Sequence, residues 1–171
     1  MNGKTRAVAA VALMATASLA LVAPIASANP SDKPCDTSDL KVSVTPDPTS
    51  AAGQQAYVIH YAAAGPHTNC TLQGAPTAVT FTKGNGHSQG DDSGIQVVLD
   101  DPSGVPAPVN VQPGRPAESR ILMASQAPVT FVPNVVNLNL PTTNGHTVTV
   151  AWPAGAPLKG ASVELTAVSP E

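Results

Sequence analysis

The stretch of residues 83–94 contains the side chains that most clearly suggest catalytic chemistry. Gly86-His87-Ser88-Gln89-Gly90 matches the Gly-x-Ser-x-Gly pattern, in which a strained turn exposes the serine nucleophile of α/β-hydrolases. Aspartates further along the chain and then His146 supply the order serine, aspartate, histidine. One hypothesis is therefore a secreted serine hydrolase that uses Ser88 with His146.

The surrounding sequence favours a flexible loop instead. A nucleophile elbow needs a strand before the serine and a helix after it, whereas Asp91-Asp92-Ser93-Gly94 leads directly into another strand-like run. Gly84, Gly86 and Gly90 make the loop permissive, so it cannot hold the ~0.5 Å placement that a working site needs. We therefore expect no catalytic residue, and we predict that the protein is not an enzyme.

Carboxylates and imidazoles suggest metal binding, but their spacing does not support it. Two acidic pairs, Asp91-Asp92 and Asp100-Asp101, could offer oxygens to Ca²⁺, yet the EF-hand spacing is absent and aspartates are also frequent in turns. The four histidines lack the spacing of a metal motif; they are His60, His67, His87 and His146. We predict turn aspartates, no metal site and no cofactor.

The first 28 residues have the features of a secretory signal peptide. Lys4 and Arg6 form a positive region, residues 7–23 are apolar and uncharged, and Ala26-Ser27-Ala28 is a small-residue cleavage site. We expect a secreted, extracellular protein that starts at Asn29 and keeps no transmembrane segment after cleavage, with residues 29–34 as a flexible lead-in.

Cys35 and Cys70 are the only two cysteines, and an exported protein is expected to oxidise a single pair. They bracket two strand-like runs, at residues 39–45 and 56–62, so their disulfide is predicted to pin the first hairpin. Closing a loop of this length contributes roughly 4 kcal/mol in the chain-entropy treatment.

Hydrophobic patterning indicates an all-β domain. The 18 prolines and 13 glycines interrupt the chain, and short runs alternate apolar and polar residues, as in a sandwich or barrel of about seven to nine strands. In residues 136–140, Asn137 and Asn139 are predicted to face solvent. The residues predicted to be buried together are Val136, Leu138, Val148, Val150, Trp152, Val163 and Leu165. The stripe of Tyr57, Ile59 and Tyr61 is assigned to the core rather than to a ligand-stacking platform.

Charge and length limit the partners and the domain count. Basic residues after the signal are scattered and outnumbered by the 11 acidic ones, so nucleic acid and anionic membranes are poor partners. Residues 35–168 are one domain's length, enough to bury roughly two thirds of the unfolded surface. Residues 169–171 are predicted to be a frayed tail.

Several short segments carry a family resemblance over residues 35–168. They are Cys35, Leu40-Lys41-Val42-Ser43-Val44, Ala52-Gly53-Gln54, Asn69-Cys70-Thr71-Leu72-Gln73-Gly74-Ala75-Pro76 and Pro113-Gly114-Arg115-Pro116-Ala117. With these segments the sequence resembles the secreted actinobacterial family known as domain of unknown function 4232. The resemblance implies an immunoglobulin-like antiparallel β-sandwich with no assigned activity, so no functional residue is carried over. The chain lacks the second cysteine pair of many members, and Ala62-Ala63-Ala64-Gly65 replaces a common Thr-Asn-x-Gly turn.

These observations favour an exported non-catalytic β-sandwich, a binding or structural protein of the cell envelope or extracellular space. Its expected partner is a protein, a glycan or an envelope component. The serine hydrolase and a histidine-based metal module are the alternatives. An ordered contact between Ser88 and His146 would favour the hydrolase, and a cluster of three histidines would favour the metal module.

Overall fold

The structure is a computed structural model that describes residues 33–49, 51–84, 90–100 and 104–171. This part of the chain is all-β, with one short 3₁₀ turn at Thr37–Asp39. Its strands are β1 (Leu40–Asp47), β2 (Gln54–Ala63), β3 (Cys70–Leu72), β4 (Thr77–Thr82), β5 (Gln96–Leu99), β6 (Val109–Val111), β7 (Ala117–Ala124), β8 (Val129–Phe131), β9 (Val135–Asn139), β10 (Thr147–Ala151), β11 (Leu158–Lys159), β12 (Ser162–Leu165) and β13 (Ser169–Pro170). None of the described helical structure could cross a bilayer. The predicted signal peptide and the start at Asn29 lie outside the described residues.

Two main sheets organise these strands. The larger sheet has the order β1-β2-β7-β12-β5, with β13 also paired to β7, and the smaller has the order β10-β9-β4. Two-stranded pairs β3–β6 and β8–β11 complete the pairing. The pairing is otherwise antiparallel among the named strands, as predicted, and the β5–β12 pair is the parallel exception. No hairpin constrains this pair, because β6 to β11 intervene in the chain.

Apolar residues of the two main sheets share one core. Tyr57, Ile59 and Tyr61 are at most 1% exposed, which confirms their assignment to the interior. Trp152, just after β10, lies with its ring centroid 4.5 Å from that of Tyr57 and 5.5 Å from that of Phe81 in β4. The tryptophan therefore links the larger sheet to the smaller one. Its ring is tilted against Tyr57 and edge-on to Phe81, which are geometries that aromatic pairs favour.

Two residues differ from the predicted core pattern. Val148 is only half-buried, because β10 is an edge strand of its sheet. Asn137, predicted to face solvent, is 4% exposed. Its amide nitrogen donates to Thr80 Oγ1 at 3.5 Å, and its amide oxygen accepts from Thr149 Oγ1 at 2.6 Å. Threonines on both neighbouring strands thus cover and satisfy this amide, which makes its burial possible.

The disulfide connects β3 to the segment that precedes β1. Cys35 and Cys70 are fully buried, and their Cα atoms are 4.8 Å apart. Lys33 and Pro34 run parallel to β3, with Thr71 N–H donating to the Lys33 carbonyl at 2.9 Å. The bond closes a loop around the β1–β2 hairpin, as predicted, and the end of the predicted lead-in is held by β3 rather than flexible.

The C-terminal residues are also held. Val168 is 5% exposed, and β13 pairs with the start of β7, so the expectation of a frayed tail is wrong.

Sequence patterning gave no indication of β3, β11 and β13. Each contains only two or three residues, which is too short for an alternating pattern to register.

Candidate functional site

The residues of the serine hypothesis are only partly within the described structure. Ser88 and its neighbours at 85–89 lie outside the described residues. His146 immediately precedes β10; its carbonyl accepts from Leu140 N–H at 2.9 Å, and its Nε2 lies 3.9 Å from Asp36 Oδ1. The described geometry therefore brings His146 beside Asp36, near the disulfide, and it does not test a contact with Ser88.

Asp91 and Asp92 hold the edge of β4. Asp91 accepts from Phe81 N–H at 3.1 Å and Gly94 N–H at 2.9 Å, and Asp92 accepts from Lys83 N–H at 3.1 Å and the Thr82 hydroxyl. Burial by itself would raise the pKa of Asp91, but the hydrogen bonds to its carboxylate outweigh that effect and lower it. These contacts are those of turn aspartates. Asp101 lies outside the described residues.

The histidines do not converge in the described part of the chain, where no group of three or more His, Cys, Asp or Glu side chains could hold a metal ion. His67 lines a shallow depression between the 3₁₀ turn and the loop after β2, together with Asp39 and Thr68. His87 lies outside the described residues. His60 points to the outer face of the larger sheet, opposite to the buried Ile59 and Tyr61.

His60 nevertheless takes part in a short polar chain. Its Nε2 is 2.7 Å from Thr45 Oγ1, and its Nδ1 is 3.2 Å from Glu171 Oε1. In the tautomer with its proton on Nδ1, the ring donates to the carboxylate, and Nε2 accepts from the threonine hydroxyl. Hydroxyl, imidazole and carboxylate thus follow one another as in a nucleophilic triad. The chain also anchors Glu171, next to β13, to the outer face of β1 and β2.

An ion-pair group lies beside it on the same face. Arg120 Nη1 is 3.0 Å from Asp47 Oδ2, and Arg120 Nη2 is 2.9 Å from Glu118 Oε1. The Asp47 side chain is only 4% exposed. Hydrogen bonds from the Thr49 hydroxyl and amide lower the pKa of Asp47, burial opposes them, and the Arg120 charge lowers it further. These contacts hold the turn after β1 rather than forming an open site.

A different kind of site lies where the β5 edge of the larger sheet faces the β4 edge of the smaller sheet. The depression there has a volume of about 420 Å³. We call it the edge groove and define it by six lining residues: Thr77, Val79, Ile95, Val97, Leu99 and Leu165. A neighbouring depression of about 250 Å³ continues it past Ala75 and Pro106 and shares Thr77, Leu99 and Leu165. The groove is mainly apolar and open along one side of the molecule.

The β4 wall of the edge groove is irregular. Its register shifts between Thr77 and Thr80, and Ala78 adopts φ 48°, a left-handed conformation that costs a non-glycine residue roughly 1–2 kcal/mol. Beyond the shift in register, the Asp91 carboxylate accepts a hydrogen bond from Phe81 N–H, while Asp92 N–H donates to the Phe81 carbonyl at 3.0 Å. Side chains and turn backbone therefore close the edge of β4, as bulges and caps commonly do.

The β5 wall is regular and exposed. β5 is the last strand of the larger sheet, paired on one side with β12. Val98 is 43% exposed on the outer face, and Leu99 is 46% exposed at the groove. Sequence analysis identified this strand but not its exposure. Its uninterrupted run of apolar residues, Val97-Val98-Leu99, is apolar on both faces of the strand. This run was the sequence feature that could have indicated the exposure.

Comparison with known proteins identifies one family. The family model described as "Domain of unknown function (DUF4232)" matches residues 35–169, which is most of the chain. Comparisons with curated proteins and with solved structures gave no match.

Proposed function

The chain belongs to the DUF4232 family, and from that premise we propose that it is an exported, non-catalytic binding module whose ligand docks in the edge groove. The observation that carries this proposal is the groove itself. It combines an apolar lining with an exposed strand, β5, whose outer edge is not paired by any strand of the described residues. Concave apolar sites with a few polar groups are the usual form of a binding site.

Two features support export. The charged, apolar and small-residue segments of residues 1–28 follow the order of a secretory signal. The only two cysteines form a buried disulfide, which persists in oxidising compartments. Intact mass of secreted protein provides the test. We expect a chain that starts at Asn29 and has no alkylatable thiol before reduction, and retention of the first 28 residues would contradict export.

Site-specific photo-crosslinking in the secreting cells tests binding at the edge groove. A benzophenone amino acid replaces Leu99 in the groove or, as a matched control, Ser43 on the exposed face of β1. We expect a discrete adduct from position 99 and none from position 43. Equal adducts from both positions, or none from position 99, would contradict a ligand in the groove.

The non-catalytic part of the proposal has its own test. A fluorophosphonate probe and short-chain nitrophenyl esters are applied to the wild type, Ser88→Ala and Thr45→Val. We expect no stoichiometric labelling and no ester turnover above background. Labelling lost only in Ser88→Ala would restore the hydrolase hypothesis, and labelling lost only in Thr45→Val would assign chemistry to the Thr45–His60–Glu171 chain.

A further inference from the structure

We propose that the free edge of β5 binds an extended peptide as an added strand, with apolar side chains in the edge groove and a lysine or arginine side chain beside Asp100. This inference rests on the proposed function, because it names the ligand class of the same groove. Backbone direction, groove shape and charge each support it independently.

The backbone of β5 offers a strand-shaped row of hydrogen-bonding groups. Gln96 N–H donates to the Ala161 carbonyl at 2.9 Å, and Asp100 N–H donates to the Leu165 carbonyl at 3.1 Å. In a parallel ladder, alternate residues direct their groups to the same neighbour. Val97 and Leu99 therefore turn N–H and C=O away from β12, toward the side where the sheet ends. An extended peptide bonds to such a row by strand addition.

The edge groove fits the side chains of such a strand. A strand added to β5 would lie about 4.8 Å beyond it, and every second side chain would point to the inner face of the sheet. On that face Val97 and Leu99 line the groove, and Val79 lines it from the β4 side. The inward positions of the peptide must therefore be apolar, because charged groups would lose their hydration there without a partner.

Charge selects the outward positions of the peptide. Asp100 directly follows β5, and Glu164 lies opposite Val98 on β12. The ion pairs found in the described part of the chain involve other carboxylates. An uncompensated negative rim attracts a cationic partner and repels an anionic one. Lysine or arginine at outward positions is the complement to this rim.

The same charges argue against a second copy of the chain as the occupant. Pairing β5 with β5 of another molecule would place Asp100 and Glu164 of both copies on one continuous sheet, and this accumulation of negative charge disfavours association. The strand itself has no device against pairing, since Gln96-Val97-Val98-Leu99 contains no lysine, proline or bulge. An open edge with an acidic rim thus fits a basic peptide best.

The test uses two synthetic nine-residue probes in amide-resolved NMR titrations of the purified protein. In the first probe, four valines alternate with three lysines and two threonines, so the valines share one face; in the second probe, glutamate replaces each lysine. We expect the lysine probe to bind saturably below about 1 mM, shifting the Val97 and Leu99 amides and slowing their exchange. The Thr45 amide on β1 should not respond, and the glutamate probe should bind at least about tenfold more weakly.

Variants locate the contact. Val97→Pro removes one free donor while leaving the β12 pairing, and it should abolish binding of the lysine probe. Gln96→Lys adds a positive charge to the outer face of β5 and should weaken that probe by about threefold, as rim charges do. Ser43→Lys adds the same charge to β1 and serves as the matched control, with no change expected. Because Gln96 is exposed, its variant remains informative if Val97→Pro fails to fold.

Three outcomes would overturn the proposal. The first is that neither probe perturbs Val97 or Leu99 up to about 1 mM. The second is equal binding of both probes, which would remove the charge argument. The third is a response to protein concentration alone, which would make a second copy the occupant. A crosslink from position 99 together with silent peptides would reject only the peptide; failure of both experiments would reject the binding function as well.

Discussion

The two edges of the larger sheet, β1 and β5, differ in how they are protected. β1 carries a lysine, Lys41, and a proline, Pro46, at exposed positions, and it packs beside β10. The buried disulfide holds the segment that leads into it, and Asp47 at its end is paired with Arg120. Lysine, proline and covering elements are the usual means by which edge strands avoid pairing.

β5 has none of these features in the part of the chain that the structure describes. Its four residues are uncharged, and there it lies beside an apolar groove rather than a covering strand. Natural sheets rarely leave such an edge unguarded, because it invites pairing with other chains. We propose that this contrast within one sheet reflects two roles, with ligand binding at the β5 edge and stability at the β1 edge.

Removing the disulfide should cause the largest loss, because the unfolded chain regains the conformational entropy that closing this loop had removed. We expect Cys35→Ala/Cys70→Ala to lower the free energy of unfolding by roughly 4 kcal/mol in urea denaturation. Reduction of the wild type should give the same loss, which controls for the substitutions. A loss below about 1 kcal/mol would show that the β1 side does not depend on this anchor.

The next contrast compares two charged residues on the outer face of the larger sheet. Arg120→Ala leaves the Asp47 carboxylate buried without its cation; Asp47 Oδ2 has no hydrogen bond within the described residues. We expect a loss of about 1–3 kcal/mol in chemical denaturation. Glu164→Ala, nearer β5, should change stability by less than about 0.5 kcal/mol. Equal losses would remove the distinction between the two sides.

Acid should act mainly through the carboxylates of the β1 side. Hydrogen bonds and the Lys33 charge lower the pKa of Asp39, although burial opposes them, and the pKa of Asp47 is lowered as well. Because these pKa values are lower in the folded state, their stabilisation is present above the ordinary value of about 4 and is lost as pH falls through the folded values. The stability gap between wild type and Asp47→Asn should therefore narrow toward low pH. A constant gap from pH 7 to 2 would contradict this assignment.

Much of the fold was predictable because alternation is a local property. The runs that became β4, β7, β9 and β10 show period-two patterning, and the predicted export made the cysteine pairing a simple inference. Burial of Asn137 was not predictable, because the threonines that satisfy it lie on two other strands. The hold on β13 likewise depends on residues distant in sequence, in β7.

The candidate site was harder to predict than the fold. Gly-x-Ser-x-Gly is recognisable as a sequence motif, whereas no sequence motif marks the edge groove. It arises because β5 pairs in parallel with β12, so that residues 96–99 and 162–165 meet, and because β4 ends the other sheet. Such nonlocal pairing cannot be read from the spacing of residues along a single chain.

Native-state amide hydrogen exchange, followed by NMR on the protein alone, tests the open edge of β5 most directly. If Val97 and Leu99 direct their N–H groups to the free side, these amides should exchange at least about a hundredfold faster than the Val98 amide, which faces β12. Amides along β1 provide the internal comparison for a guarded edge. Equal protection at Val97, Val98 and Leu99 would show that β5 is already covered, and it would contradict the account of this edge as a binding site.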